Sequence, residues 1–206
     1  MKLTNIAVAV SGGGRSLANF LSIEMSGESR YHVCCVITSN PACKAVTIAE
    51  KADFPVFCHS FPKVPEPTLI SELEAFLQKL SVKWIVLAGF LRPLPIMTPW
   101  RSKIVNIHPA LLPKFGGQGM FGKHVHRAVL AAGEIESGAS VHFVNETYDD
   151  GAVIAQARVP VKQGDDEEKL AERVFSAECQ LYPKVMNMLI EGRLPMKRGE
   201  IFQMEN

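Results

Sequence analysis

The sequence predicts an α/β fold: an open twisted sheet, mostly parallel, with helices on both faces and an antiparallel C-terminal part. Three observations lead there. Short apolar runs alternate with stretches of helical periodicity through the first half of the chain. One run, "WIVLAGF" (84–90), is continuously apolar, as a strand covered on both faces must be. Beyond Gly116 the texture changes. Two strands, "GASVHFVN" (138–145) and "AVIAQARVPV" (152–161), are joined by a short acidic link that suits antiparallel pairing.

Each element has its own signal. "NIAVAV" (5–10) reads as a buried strand, followed by Gly12-Gly13-Gly14 and a helix with Leu17, Phe20 and Leu21 at helical spacing. "YHVCCVIT" (31–38) is a second strand. Asn40-Pro41 then supplies an N-cap and first-turn proline for a helix to about Ala52. A short strand "PVFCH" (55–59) precedes a helix near 67–80 that sets Leu69, Leu73, Phe76, Leu77 and Leu80 on one side. After the Pro-broken "LRPLPIMTPW" comes the strand "KIVNIH" (103–108), then a helix near 123–132. Asp165 and Glu168 form a capping pattern for a long last helix, bent near Pro183. Few apolar anchors follow residue 194, so the reading is one domain over 1–194 and a loose tail over 195–206.

Composition narrows the function. Of 206 residues, 47 % are apolar and 21 % charged, which excludes disorder. The net charge of +1 comes from scattered Lys and Arg, so a nucleic-acid partner is not expected. No run approaches the roughly 20 apolar residues of a membrane span, and "IAVAV" is too short for a signal-peptide core. Five cysteines without a C-x-x-C pair read as thiols of a reducing compartment. The expectation is a cytoplasmic protein, monomer or homodimer, acting on small molecules.

Two places carry chemistry. In "VAVSGGGRSLANF" the glycines sit between strand and helix, where the backbone can approach a ligand and free helix N–H groups favour an anion. The turn matches neither a dinucleotide fingerprint nor a P-loop. It is either a bare tight turn or a monophosphate site, toward which Arg15 and Ser16 point. The second place is Asn106 and His108, which share one side of a strand at its carboxyl end, where open α/β sheets bind ligands. An amide can donate to a developing oxyanion and an imidazole can handle a proton. Pro109 restrains His108, and Asp149 or Asp150 of the "NETYDDGAVIAQ" turn could orient the ring. Held close, Asp149 would favour the ring's charged form. A locally satisfied histidine and an ordinary turn are the structural alternatives. No nucleophile context or metal spacing stands out, and His124 and His126 are too close in a helix start to face one way. What remains is direct transfer of an electrophilic carbon to a substrate nucleophile, without a covalent enzyme intermediate and without a metal.

The segments "SGGGRS" (11–16), "VLAGFLR" (86–92), "NIHPALLP" (106–113) and "SGASVHFVNETYDDGAVIAQ" (137–156) resemble the folate-dependent formyltransferases. Within them, the first turn and the chain length resemble the phosphoribosylglycinamide formyltransferases. The resemblance runs from about residue 4 to 194. It implies a single Rossmann-like domain that transfers a formyl group from 10-formyltetrahydrofolate to glycinamide ribonucleotide in purine biosynthesis. It further implies catalysis by Asn106, His108 and Asp149. The ribonucleotide would be held by Gly13, Gly14, Arg15, Ser16, Pro109 and Glu178, and the folate by Leu91, Arg92, Pro93, Leu94, Asn106, Asn145 and Asp149. Two departures stand against the family pattern: Arg15-Ser16 replaces a common Ser-Asn, and Phe175 occupies a polar phosphate-binding position. "GGQGMFGKH" (116–124) is longer than in many relatives, and Lys114–Lys123 reads as a water-excluding cover or a plain surface loop. The rivals are a tRNA formyltransferase, expected to carry a further basic C-terminal domain, and a formyltetrahydrofolate hydrolase, expected to carry an N-terminal one. A non-catalytic nucleotide-binding module is the third.

Overall fold

Residues 2–193 and 201–204 are described by the computed structural model. The chain divides into two compact units, Met1–Val105 and Asn106–Asn206.

The first unit holds the strands β1 (Thr4–Val10), β2 (Tyr31–Thr38), β3 (Val56–Cys58) and β4 (Trp84–Leu87). Between them lie the helices α1 (Arg15–Met25), α2 (Lys44–Lys51) and α3 (Pro67–Lys79). The strands are parallel in the order β3-β2-β1-β4. β1 is therefore paired on both edges, and Ile6 to Ala9 have no exposed surface. That is why its sequence is apolar throughout rather than alternating. α1 buries Leu17 and Phe20, and the Phe20 ring meets Tyr31 edge-on at 5.2 Å. α3 buries Leu69, Leu73 and Leu77, one per turn.

Two expectations here are corrected. α2 starts at Lys44 with Cys43 as its N-cap, not at Asn40. Asn40 is spent on a local turn: its side-chain oxygen accepts from the Ala42 N–H at 3.0 Å, and its own N–H donates to Thr38 Oγ1 at 3.1 Å. β4 ends at Leu87, three residues early, because Gly89 turns the chain with φ +73° and the prolines beyond cannot extend a ladder.

The second unit begins inside β5 (Ile104–His108). It continues through α4 (Lys123–Ala131), β6 (Glu136–Phe143), β7 (Val153–Pro160), α5 (Glu167–Ile190) and β8 (Phe202–Met204). Strand order is β5-β6-β7-β8; β6 and β7 are antiparallel, while β7 and β8 are parallel. The α/β class, the mostly parallel strands and the antiparallel C-terminal part are thus as the sequence predicts. The far end of the supposed tail is not loose. Phe202, Gln203 and Met204 pair with Ala155, Gln156 and Ala157, and Met204 is buried. The stretch 194–200 lies outside the described residues. The α5 cap is also displaced by one residue. Asp166 accepts from the Glu168 and Lys169 N–H groups at 3.1 and 2.8 Å, whereas Asp165 is occupied by Arg173 and the Lys162 N–H.

The β6–β7 pair depends on a close approach at Gly138. A methyl there would lie 2.0 Å from the Ala157 carbonyl oxygen and 2.7 Å from Leu111 Cδ2. Gly138→Ala should cost about 1–3 kcal/mol, read from urea unfolding; an unchanged midpoint would show that β7 can move aside.

Candidate active site

β5 delivers both residues singled out at its end. Asn106 is half-buried and His108 is 3 % exposed, while Ile107 packs away from them. The chain leaving β5 is fastened from below by two buried polar side chains. Ser140 Oγ donates to the Ala110 carbonyl at 2.7 Å and accepts from the Leu112 N–H at 3.0 Å. Gln156 Nε2 donates to the Leu112 carbonyl at 3.0 Å and to Ser140 Oγ at 2.9 Å. A fully bonded network of this kind fixes a backbone that has no ladder of its own. The His108 ring is thereby set in place.

The carboxylate that meets His108 is Asp149. Asp150, the alternative, is exposed and accepts from Asn145 Nδ2 at 3.2 Å. Asn145 Oδ1 accepts from the Thr147 N–H, so the turn laces itself together and leaves Asp149 to face inward. Asp149 has φ +54°, a left-handed conformation that aspartate tolerates better than most residues. Its Oδ2 accepts from the Gly117 N–H at 3.0 Å and lies 3.4 Å from His108 Nδ1. Its Oδ1 lies 3.4 Å from both Asn106 Nδ2 and His142 Nε2. Gly116 packs closely here: a methyl would come within 2.5 Å of Leu112 Cδ2 and 3.2 Å of Asp149 Cβ, so Leu112 would have to shift.

Asn106, His108 and Asp149 therefore converge, and His142 joins them. His142 is 2 % exposed; its Nε2 sits 3.0 Å from Asn106 Nδ2 and its Nδ1 donates to the Phe143 carbonyl at 2.8 Å. The sequence does not single out His142. Its signal is only a histidine in the same β6–turn segment as Asp149. The Phe115 carbonyl, 2.7 Å from His108 Nε2, and the Gly117 N–H are backbone groups that no side-chain pattern reveals.

Burial sets the charges. It pushes His108 below the ordinary histidine range, outweighing the upward pull of Asp149 and of the Phe115 carbonyl. The expectation that Asp149 keeps this ring charged holds in direction only; at rest the ring is neutral. Burial pushes Asp149 up, but the neighbouring His142 and His108 rings and the Gly117 N–H together bring it below the usual carboxylate range. His126 on α4 is 4 % exposed and is also pushed down by burial, and among the described residues its Nδ1 has no hydrogen-bond partner. His124 beside it is exposed.

In the first unit, the three glycines differ. Gly14 has φ +70°, and its packing against Ala45 and Ile48 leaves no room for a side chain. Gly12 and Gly13 have no left-handed φ, and a methyl on either would meet nothing within 4 Å, so packing does not explain them. α1 begins without a side-chain cap and without an acid in its first turn. Arg15 is exposed and Ser16 half-buried. In the segment after β4, Leu91 is 53 % exposed, Arg92 exposed, Pro93 half-buried and Leu94 buried; the Leu91 N–H donates to Ser11 Oγ at 3.2 Å. Pro109, Asn145, Phe175 and Glu178 are half-buried in the second unit.

The chain is similar to known proteins in sequence and in fold. A family model described as formyl transferase matches residues 4–186. A phosphoribosylglycinamide formyltransferase of Haemophilus influenzae is 36 % identical over 203 residues, covering 95 % of this chain and 91 % of that protein. A chloroplastic phosphoribosylglycinamide formyltransferase of Vigna unguiculata is 38 % identical over 201 residues, covering 95 % of this chain; the chain spans 64 % of that relative's length. Among solved structures, glycinamide ribonucleotide transformylase 1 from Symbiobacterium toebii superposes with a TM-score of 0.85 at 31 % identity, covering 99 % of this chain and 95 % of that one.

The lowered histidines make stability depend on pH. Unfolded histidine titrates near ~6.5, so below that the unfolded chain binds more protons than the fold, and acid favours unfolding. The contribution of His108 and His126 is complete above about pH 6.5 and is lost as pH falls toward their folded values. His108→Gln and His126→Gln should each flatten the fall in urea midpoint between roughly pH 6.5 and 5. Slopes identical to the parent in both variants would refute the neutral assignment.

Proposed function

The chain belongs to the formyl transferase family, and from that premise we propose that it transfers the formyl group of 10-formyltetrahydrofolate to the amine of N1-(5-phospho-D-ribosyl)glycinamide. The products are the N2-formyl compound and tetrahydrofolate, in the synthesis of purines (IMP). The observation that carries the reading is the convergence of Asn106, His108 and Asp149 at the end of β5. It is supported by relatives that bear this activity in their names. The chain acts in this reading in the cytoplasm, as a single formyltransferase domain over 1–194; the family match, running through both units, supports the single domain.

The folate supplies an electrophilic formyl carbon. As the substrate amine bonds to that carbon, its oxygen gains negative charge, and in this reading Asn106 and the His108 ring are its donors. Asp149, ionised at rest, or a water bonded to it, takes the proton that the amine loses and returns it to the departing folate nitrogen. Leu91 to Leu94 suit a flat heterocycle, because Leu91 offers exposed apolar surface beside the buried Leu94. Asn145 and Asp149 of the β6–β7 connection are the further folate residues of this reading. The open Gly12-Gly13 turn at an uncapped helix start suits a phosphate, with Arg15 and Ser16 beside it, Phe175 being unable to contribute. Pro109 and Glu178 complete the ribonucleotide set. The segment 114–123 serves as cover, supported by its Phe115 and Gly117 backbone bonds to His108 and Asp149.

Formyl transfer followed by folate absorbance is the direct test. Asp149→Asn keeps a residue that accepts the left-handed backbone, so kcat should fall about 100- to 1000-fold with little change in ribonucleotide affinity. Loss of both in proportion would reassign Asp149 to folding. Gly13→Ala has space for its methyl, so thermal stability should hold while KM for the ribonucleotide rises; an unchanged KM would remove this turn from the phosphate site.

A further inference from the structure

We propose that His142 is a positioning residue which, protonated on both ring nitrogens, holds the side-chain oxygen of Asn106 and so turns the Asn106 NH2 toward the reacting formyl oxygen. The inference rests on the formyl-transfer reading above and deepens it.

Hydrogen-bond accounting leads there. His142 Nδ1 lies 2.8 Å from the Phe143 carbonyl oxygen, which can only accept, so Nδ1 carries a proton. In a neutral ring Nε2 is then an acceptor, and its neighbour at 3.0 Å, Asn106 Nδ2, donates to it. The same Nδ2 faces Asp149 Oδ1 at 3.4 Å. An amide nitrogen has two hydrogens, and both are now engaged within the protein. Only the Asn106 oxygen is left to face a ligand, and an acceptor cannot stabilise an oxyanion.

A half-turn of the amide removes the conflict. Nε2–H then donates to Asn106 Oδ1, and the NH2 is released to the substrate side, its place as partner of Asp149 Oδ1 being taken by the charged ring. This exchange requires hydrogen on Nε2 while Nδ1 stays bonded to Phe143, so the ring is an imidazolium with one proton drawn from solvent. Its counter-charge is already present: Asp149 Oδ1 is 3.4 Å from Nε2. The ionisable groups facing His142 are that carboxylate, from the turn after β6, and His108 from β5, which burial keeps neutral. Asn106 itself carries no charge. One cation thus meets one anion, and the oxyanion receives a donor whose orientation is enforced by charge.

The test uses the full chain labelled with 15N-histidine, His142 being assigned by loss of its signals in His142→Gln. Near neutral pH, with the ribonucleotide and a folate analogue unable to release its formyl group, both ring nitrogens of His142 should be protonated. In the free protein only Nδ1 should be. His142→Leu should lower kcat about 100-fold with the ribonucleotide KM within about 2-fold of the parent. His142→Gln, whose amide can donate to Asn106 Oδ1 without charge, should recover most of that loss. A neutral ring in the complex, or equal damage in the two variants, overturns the assignment while formyl transfer by the parent leaves the functional reading intact. Absence of transfer by the parent overturns that reading and this one together.

Discussion

The second unit is organised around one buried anion, the Asp149 carboxylate, whose side chain is 11 % exposed. A charge in that position is unfavourable unless donors replace the water it has lost. Here they come from two separate parts of the chain, the Gly117 N–H and the Asn106 amide on β5, while His142 on β6 lies 3.4 Å away. Each constrains the backbone that carries it. Gly116 lies close against Leu112 and Asp149 where Gly117 reaches the carboxylate, and Asp149 faces inward from a left-handed conformation. Backbone strain of about 1–3 kcal/mol at such a residue persists only where the surroundings over-determine it.

That determination comes from the antiparallel pair behind the site. β6 supplies both Ser140 and His142, and β7 supplies Gln156. Ser140 and Gln156 satisfy the carbonyl and N–H groups of the irregular stretch after β5, so the stretch can stay buried without a ladder. The Gly138 contact brings β7 against β6 closely enough for Gln156 to reach across. Fold and site share the same atoms here. For this reason substitutions in β6 and β7 must be judged for their effect on both.

Much of the fold is legible because strand and helix periods are properties of single segments. β2 falls on "YHVCCVIT" to the residue, and α3 on its leucine spacing. The misplacements share a cause: competition between local hydrogen bonds that look alike in sequence. Asn40 could cap a helix or close a turn, and it closes a turn. Asp165 and Asp166 could each cap α5, and Arg173 claims the first. β8 escapes the sequence because a short strand's pairing partner lies far away along the chain. Asn106 and His108 are legible from the two-residue period of a strand. His142 is not, since its role comes from a bond to a side chain on another strand, and neither Phe115 nor Gly117 contributes anything but backbone.

The environment also separates the roles of groups that titrate. Burial penalises the charged form of Asp149 and of His108 alike, but only Asp149 has donors aimed at it, so one rests ionised and the other neutral. The site at rest therefore sets an ionised Asp149 beside a neutral His108. An amine that attacks a formyl carbon acquires positive charge on nitrogen while the oxygen acquires negative charge. Opposite charges about 4 Å apart attract by roughly 4 kcal/mol at an effective dielectric near 20, so the nascent ammonium is drawn to the Asp149 side. The oxyanion is repelled from that side and needs donors placed elsewhere. Fixed dipoles and charges of this kind act before the reaction begins, so they cost no reorganisation when charge develops, and this is what preorganisation means in electrostatic terms.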